Sequence, residues 1–161
     1  MGFWENLAKG NLSSVINNKE SRIGSLGEVA FEVSTEKIMT VNNMSKSYSA
    51  KYAEHEIIGD KPILEFTGAN LRTISFEIQI HAEWGHNPKE EVKKLVEYCE
   101  GGEVLTFILG DGPVGDNKWI IESIEETDEM FTGTGEVLYC KASISLKEYV
   151  EDKVEKVNGI S

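Results

Sequence analysis

From Glu28 onward apolar and polar residues alternate with a period of two, the spacing that lets a strand bury one face and wet the other. In "VAFEVS" Val29, Phe31 and Val33 share a face. "RTISFEIQIHA" is the cleanest case: Ile74, Phe76, Ile78, Ile80 and Ala82 point one way, Ser75, Glu77, Gln79 and His81 the other. "EVLTFIL" and the opening of "KWIIESIEETDEMF" read as further strands. In "VLYCKASISLKEYV", Leu138, Cys140, Ala142, Ile144 and Leu146 alternate inward. "DGPVGDN" and "FTGTGE" supply turns. "KSYSAKYAEHEII" alternates less strictly and reads as a long hairpin with polar residues on both faces.

One helix is strongly signalled. Asn87 suits the N-cap, Pro88 the first helical position, and Glu90 completes a capping-box-like arrangement. Val92, Leu95, Val96 and Cys99 then form one apolar stripe, and Gly101 with Gly102 ends it. The pattern predicts an α+β fold: a mainly antiparallel β-sandwich or half-open barrel with one packed helix.

Residues 1–25 read differently. Trp4, Ala8, Leu12, Val15 and Ile16 recur at helical spacing, but Gly10 interrupts them and "NNKESRIGSLG" is loop-like. Two short amphipathic helices or an extended arm fit, and neither buries its apolar stripe alone. The expected organisation is an arm over 1–25, a β-rich domain over 26–150 and a polar tail over 151–161. Phe3, Trp4, Leu7, Leu12, Val15 and Ile16 are the arm's candidate interface residues, lying on the chain's own domain or on a neighbouring subunit.

Composition narrows the function. The 161 residues suit one domain that buries about two thirds of its unfolded surface. The charge of −12, from 28 acidic against 16 basic residues, argues against nucleic acid or an anionic membrane as partner. Cys99 and Cys140, the two cysteines, lie in no CxxC and read as reduced and buried, which implies folding in a reducing cytoplasm. The first ten residues lack the basic start and apolar core of a signal peptide, and Asn6 excludes a myristoylation signal. A soluble chain made in the cytoplasm is expected.

The chemical candidates are weak. Read as a helix, Glu122, Glu125, Glu126 and Glu129 would line one face like a carboxylate metal stripe, but no histidine accompanies them. The β-branched residues ahead favour a solvated strand end and turn. His81 and His86 are five apart, the wrong spacing for a zinc helix. "GDGPVGD" lacks the Lys-Ser/Thr of a phosphate loop, and no GxSxG elbow occurs. No catalytic residue, cofactor or metal is expected.

"WIIESIEET", followed by a Phe, a glycine turn and "ASISLKEY", resembles the C-terminal hallmark of the GpU-type phage tail protein family. "LGEVAFEVS" resembles that family's first strand, "ILEFTGANLRTISFEIQIHAEWG" its middle segment, and "PKEEVKKLVEYCEGGEVLTFILGDGPVGD" its helix and next strand. The similarity spans Leu26 to Tyr149 and leaves the arm outside it. It implies a tail-tube-like fold and a non-enzymatic structural subunit of a contractile phage tail or tailocin. Two placements compete: the baseplate, as a "ripcord"-type subunit beside tube, sheath initiator, hub and LysM-type protein, and a tail completion or terminator ring at the head-proximal end. Sixfold tail symmetry implies six copies. A small binding module or hydrolase outside a tail is the alternative of another class, and would need a deep pocket with converging polar groups.

Overall fold

The structure is a computed structural model that describes residues 21–33, 38–82 and 87–152. The arm residues Phe3, Trp4, Leu7, Leu12, Val15 and Ile16 lie outside the described residues, as do His86 and the end of the tail.

The chain forms β1 (Ser21–Leu26), β2 (Val29–Val33), β3 (Ile38–Ser47), β4 (Ala50–His55), β5 (Ile63–Ala69), β6 (Thr73–His81), α1 (Pro88–Gly101), β7 (Phe107–Leu109), β8 (Gly112–Pro113), β9 (Lys118–Phe131) and β10 (Val137–Tyr149). Eight strands make one sheet in the order β8-β7-β1-β2-β3-β6-β10-β9, and β4 and β5 make a second sheet of their own. Every pairing is antiparallel. The large sheet curls until its ends touch at one place. There the Leu105 N–H donates to the Trp119 carbonyl at 2.7 Å, and the Trp119 N–H returns a bond to Leu105 at 2.8 Å. One bridge is short of a closed barrel, so the α+β, half-open reading of the sequence holds.

The core occupies the concave side. Phe31, Phe76 and Phe107 form its aromatic centre, with Phe76 stacked on Phe107 at 5.2 Å and Phe31 edge-on to both. On β6 Ile74, Phe76, Ile78 and Ile80 are buried as the alternation predicts. Helix α1 lays buried Val92 and Leu95 against β9, β10 and β2. Asn87 caps its start by accepting from the Lys89 N–H at 3.1 Å, and Gly102 ends it in the left-handed conformation. The cap therefore forms, with its side-chain bond on Lys89.

Three local readings are corrected. The loop-like "SRIGSL" is strand β1, sandwiched between β2 and β7. Its glycine marks close approach: a Cβ on Gly24 would stand 2.2 Å from the Ile108 carbonyl oxygen. "KWIIESIEETDEMF" is strand throughout, because β10 pairs with it from Tyr149↔Lys118 to Val137↔Phe131. On β10 the inward set starts at Val137, 6% exposed, while Leu138 is 41% exposed. Register shifts at Val137/Tyr139 and Tyr139/Cys140 flip the pleat there. The hairpin read over "KSYSAKYAEHEII" forms by pairing with "ILEFTGA", with Lys51 and His55 on one face and Glu54 on the other, and it also carries the exposed apolar side chains of Tyr52, Ile57 and Ile58.

Candidate assembly interface

The β4–β5 hairpin leaves the sheet at the end where Ser47 pairs with Thr73. Its neck is tied by Asn70, whose N–H donates to the Ser49 carbonyl at 3.0 Å and whose Nδ2 donates to Ser49 Oγ at 3.1 Å. Cross-strand pairing puts Tyr52 opposite Phe66, their rings edge-on at 5.6 Å, and Leu64 next along the same face. His55 reaches Glu65 at 2.8 Å on the other face, beside Ile63. Phe66 is 62% and Leu64 63% exposed, and Tyr52, Ile57, Ile58 and Ile63 are exposed as well. A two-stranded ribbon is marginal in water without a covering layer, and a contiguous apolar patch of this kind marks an interaction surface.

Glu148 fixes the base of this projection. It is 7% exposed, and its carboxylate accepts from the Arg72 N–H at 3.0 Å and from Asn117 Nδ2 at 2.8 Å. Its own N–H donates to the Arg72 carbonyl at 2.9 Å, tying β10 to the end of the hairpin segment. Arg72 in turn lies over the Tyr48 ring at 5.6 Å. The Arg72 N–H and the Asn117 amide hold Glu148 below its ordinary value of 4.5. A depressed carboxylate adds stability above its unfolded pKa, lost as pH falls through the folded one. Glu148→Ala is expected to cost about 1–3 kcal/mol at neutral pH by stranding these donors. Urea denaturation should show that gap shrinking below pH 4.5.

The acids of β9 are sorted by the strand's alternation. Glu125, Thr127 and Glu129 face out, and Glu129 pairs with Lys141 at 2.8 Å. Glu126 and Asp128 turn toward the side of their partners Ala142 and Cys140, where Lys89 of α1 meets Asp128 at 3.6 Å. Carboxylate oxygens of Glu126 and Asp128 and the Cys140 Sγ lie within 4.8 Å of one another, a three-donor arrangement a cation could enter. Asp128 Oδ1 is buried without a hydrogen-bond partner among the described residues. The Lys89 ammonium already supplies a positive charge at this place, so the group reads as a charge-compensated clasp between α1 and β9. Burial, reinforced by Glu126 and Asp128, pushes the Cys140 thiol up to about 11, which leaves it protonated and unreactive at neutral pH. Cys99 is half-buried on α1.

Glu126 is held above its ordinary value of 4.5 by burial and then by Asp128. A raised carboxyl favours folding below its unfolded pKa, and that contribution is lost as pH rises through the folded one. Glu126→Gln is therefore expected to raise the melting temperature at pH 7 and to leave it unchanged well below pH 4.5. A melting series across pH on both proteins checks the sign.

Of the other sequence candidates, His81 is half-buried on β6 against Tyr139 at 4.5 Å. "GDGPVGD" forms the two-residue strand β8 and its turns, with Pro113 on the sheet's edge strand. Sequence reasoning missed the hairpin's apolar face and Glu148. "PILEF" carried the first signal, being too apolar for a wet strand. Nothing local marked Glu148.

The Phage P2 GpU family matches residues 27–151. Comparison with curated proteins finds no match. Among solved structures the chain is similar to one in the tail of an empty gene transfer agent particle, refined helically with C6 symmetry. That pair is 14% identical over 74% of this chain and 83% of the other, with a TM-score of 0.41. A chain in the virion of a native gene transfer agent particle is 13% identical over 74% and 85%, with a TM-score of 0.38. No helix among the described residues is long and apolar enough to cross a membrane. With its match running from β2 through β10, the chain belongs to the Phage P2 GpU family, a family of phage tail structural proteins.

Proposed function

We propose that this protein is a non-enzymatic subunit of a contractile phage tail or tailocin, made in the bacterial cytoplasm and built into the baseplate through its β4–β5 hairpin. The single observation that supports the docking role is the hairpin itself, a separate two-stranded sheet with Tyr52, Leu64 and Phe66 uncovered on one face. Aromatic and aliphatic anchors of this sort supply most of the energy of protein interfaces. The family membership points to other tail proteins as what covers them. The baseplate position, the tube, sheath initiator, hub and LysM-type neighbours, and six copies rest on the family resemblance. Net charge of −12 suits a neighbour with a basic surface and keeps unassembled subunits apart.

Gold labelling of a tagged copy on purified particles tests the placement. Label at the baseplate end, at a stoichiometry of six by mass spectrometry, is the expected result. Label at the head-proximal end would instead make this a terminator ring. Soluble protein that never joins a particle would point to a free binding module.

A further inference from the structure

We propose that the groove between β1 and β3 is the seat of the chain's own N-terminal arm, which places Leu12, Val15 and Ile16 in it. The groove exists because the β2–β3 ladder runs out early. Those strands pair only at Val33↔Ile38, while β3 continues to pair with β6 as far as Ser47↔Thr73. Beyond Ile38, the other edge of β3 has no strand against it among the described residues, and its course is bent by a bulge at Asn42/Ser45 with Asn43 at φ 52°. An open groove of about 550 Å³ remains, lined by Ile23, Val41, Met44 and Leu109 with Asn42 and Asn43 at the rim. Ile23, Val41 and Met44 are half-buried and pack on the core, so the groove opens onto apolar side chains and an unladdered strand edge together. Both need cover.

Three facts select the arm as the occupant. Its attachment is adjacent: residues 1–20 join β1 at Ser21, two residues before Ile23. Four residues, Asn17 to Glu20, link Ile16 to the start of β1, a span of up to about 17 Å at about 3.4 Å per residue. Its chemistry matches: Asn11–Asn18, "NLSSVINN", holds no charge in a chain whose residues are 27% charged, and Leu12, Val15 and Ile16 fall on one side at helical spacing. The groove residues are uncharged too, so docking strips water from no ion. The β4–β5 hairpin is a poorer guest, since Glu54, Glu56, Asp60 and Glu65 would have to approach or enter the same cleft. Tethering also favours the chain's own arm over another copy's, because a short linker gives an effective concentration on the order of millimolar.

Two measurements on the full chain decide the matter. Hydrogen exchange is compared between the wild type and the Leu12→Asp/Val15→Asp/Ile16→Asp variant. Exchange over 39–47 is expected to accelerate about tenfold or more in the variant, with the β10 peptide over 140–146 unchanged as a control for folding. Ile16→Cys and Met44→Cys are then combined with Cys99→Ser and oxidised in dilute solution, expecting an intrachain disulfide of monomer size. A disulfide-linked dimer as the main product would overturn the proposal in favour of a second copy's arm. Unchanged exchange together with no disulfide would overturn it outright.

Discussion

A Leu64→Asp/Phe66→Asp variant should fold as the wild type does and fail to enter particles. Both side chains lie mostly in solvent, so replacing them removes little burial, and the expected change in unfolding free energy is within about 1.5 kcal/mol. Tyr52 loses its ring partner, a contact worth about 0.5–1.5 kcal/mol where it is fully formed, and the hairpin neck at Ser49 and Asn70 stays intact. In an assembled interface the same two positions become buried, and two unpaired carboxylates there cost several kcal/mol. A complementation assay on particles, with the subunit counted by mass spectrometry, should show at least a hundredfold loss, about 2.8 kcal/mol at about 1.4 kcal/mol per factor of ten. Normal incorporation of the double variant would remove the hairpin from the interface. Loss of the monomer's cooperative unfolding would mean that the hairpin belongs to the fold's own stability instead.

The second large effect is internal. Trp119 is 2% exposed, makes the one isolated bridge found among the described residues, which joins the two ends of the sheet, and donates from Nε1 to the Val114 carbonyl at 2.7 Å. Trp119→Ala is expected to cost about 3–5 kcal/mol from the lost packing alone. Domains of this size hold about 5–15 kcal/mol, so that variant should be partly unfolded or markedly urea-sensitive. Trp119→Phe keeps most of the ring and strands only the Val114 carbonyl, for which about 1–3 kcal/mol is expected. A loss below about 1 kcal/mol in the alanine variant would mean that the sheet needs no clasp at that end.

Much of this was legible in the residues. The period-two runs at Val29–Phe31 and Ile74–Ile80 are buried as read, and Asn87, Pro88 and Gly102 bound the helix where their backbone chemistry requires. The family pattern read from Leu26 to Tyr149 corresponds to the matched residues 27–151. The candidate site was less legible. The acidic run after Ile121 looked like a turn because five acids in a row of eight resemble solvated loop, yet β10 pairs with Glu125, Glu126 and Asp128, and Glu122 and Glu129 sit at the ladder's register shifts within the same strand. The arm residues Phe3 to Ile16, the sequence's own interface candidates, lie outside the described residues.

The amino-acid sequence by itself determined the strands whose apolar residues alternate, such as β2 and β6, and where the helix begins and ends, since alternation and capping act between residues a few positions apart. Tertiary structure decided which face each residue turns to and what is left uncovered. Bulges beside Cys140 send Leu138 out and Val137 in, and Glu148 is buried only because Arg72 and Asn117 arrive from 76 and 31 residues away. The β4–β5 hairpin looks like any other strand pair until the main sheet forms without it. Burial depends on neighbours brought together across the chain, and a local pattern carries no information about who they are.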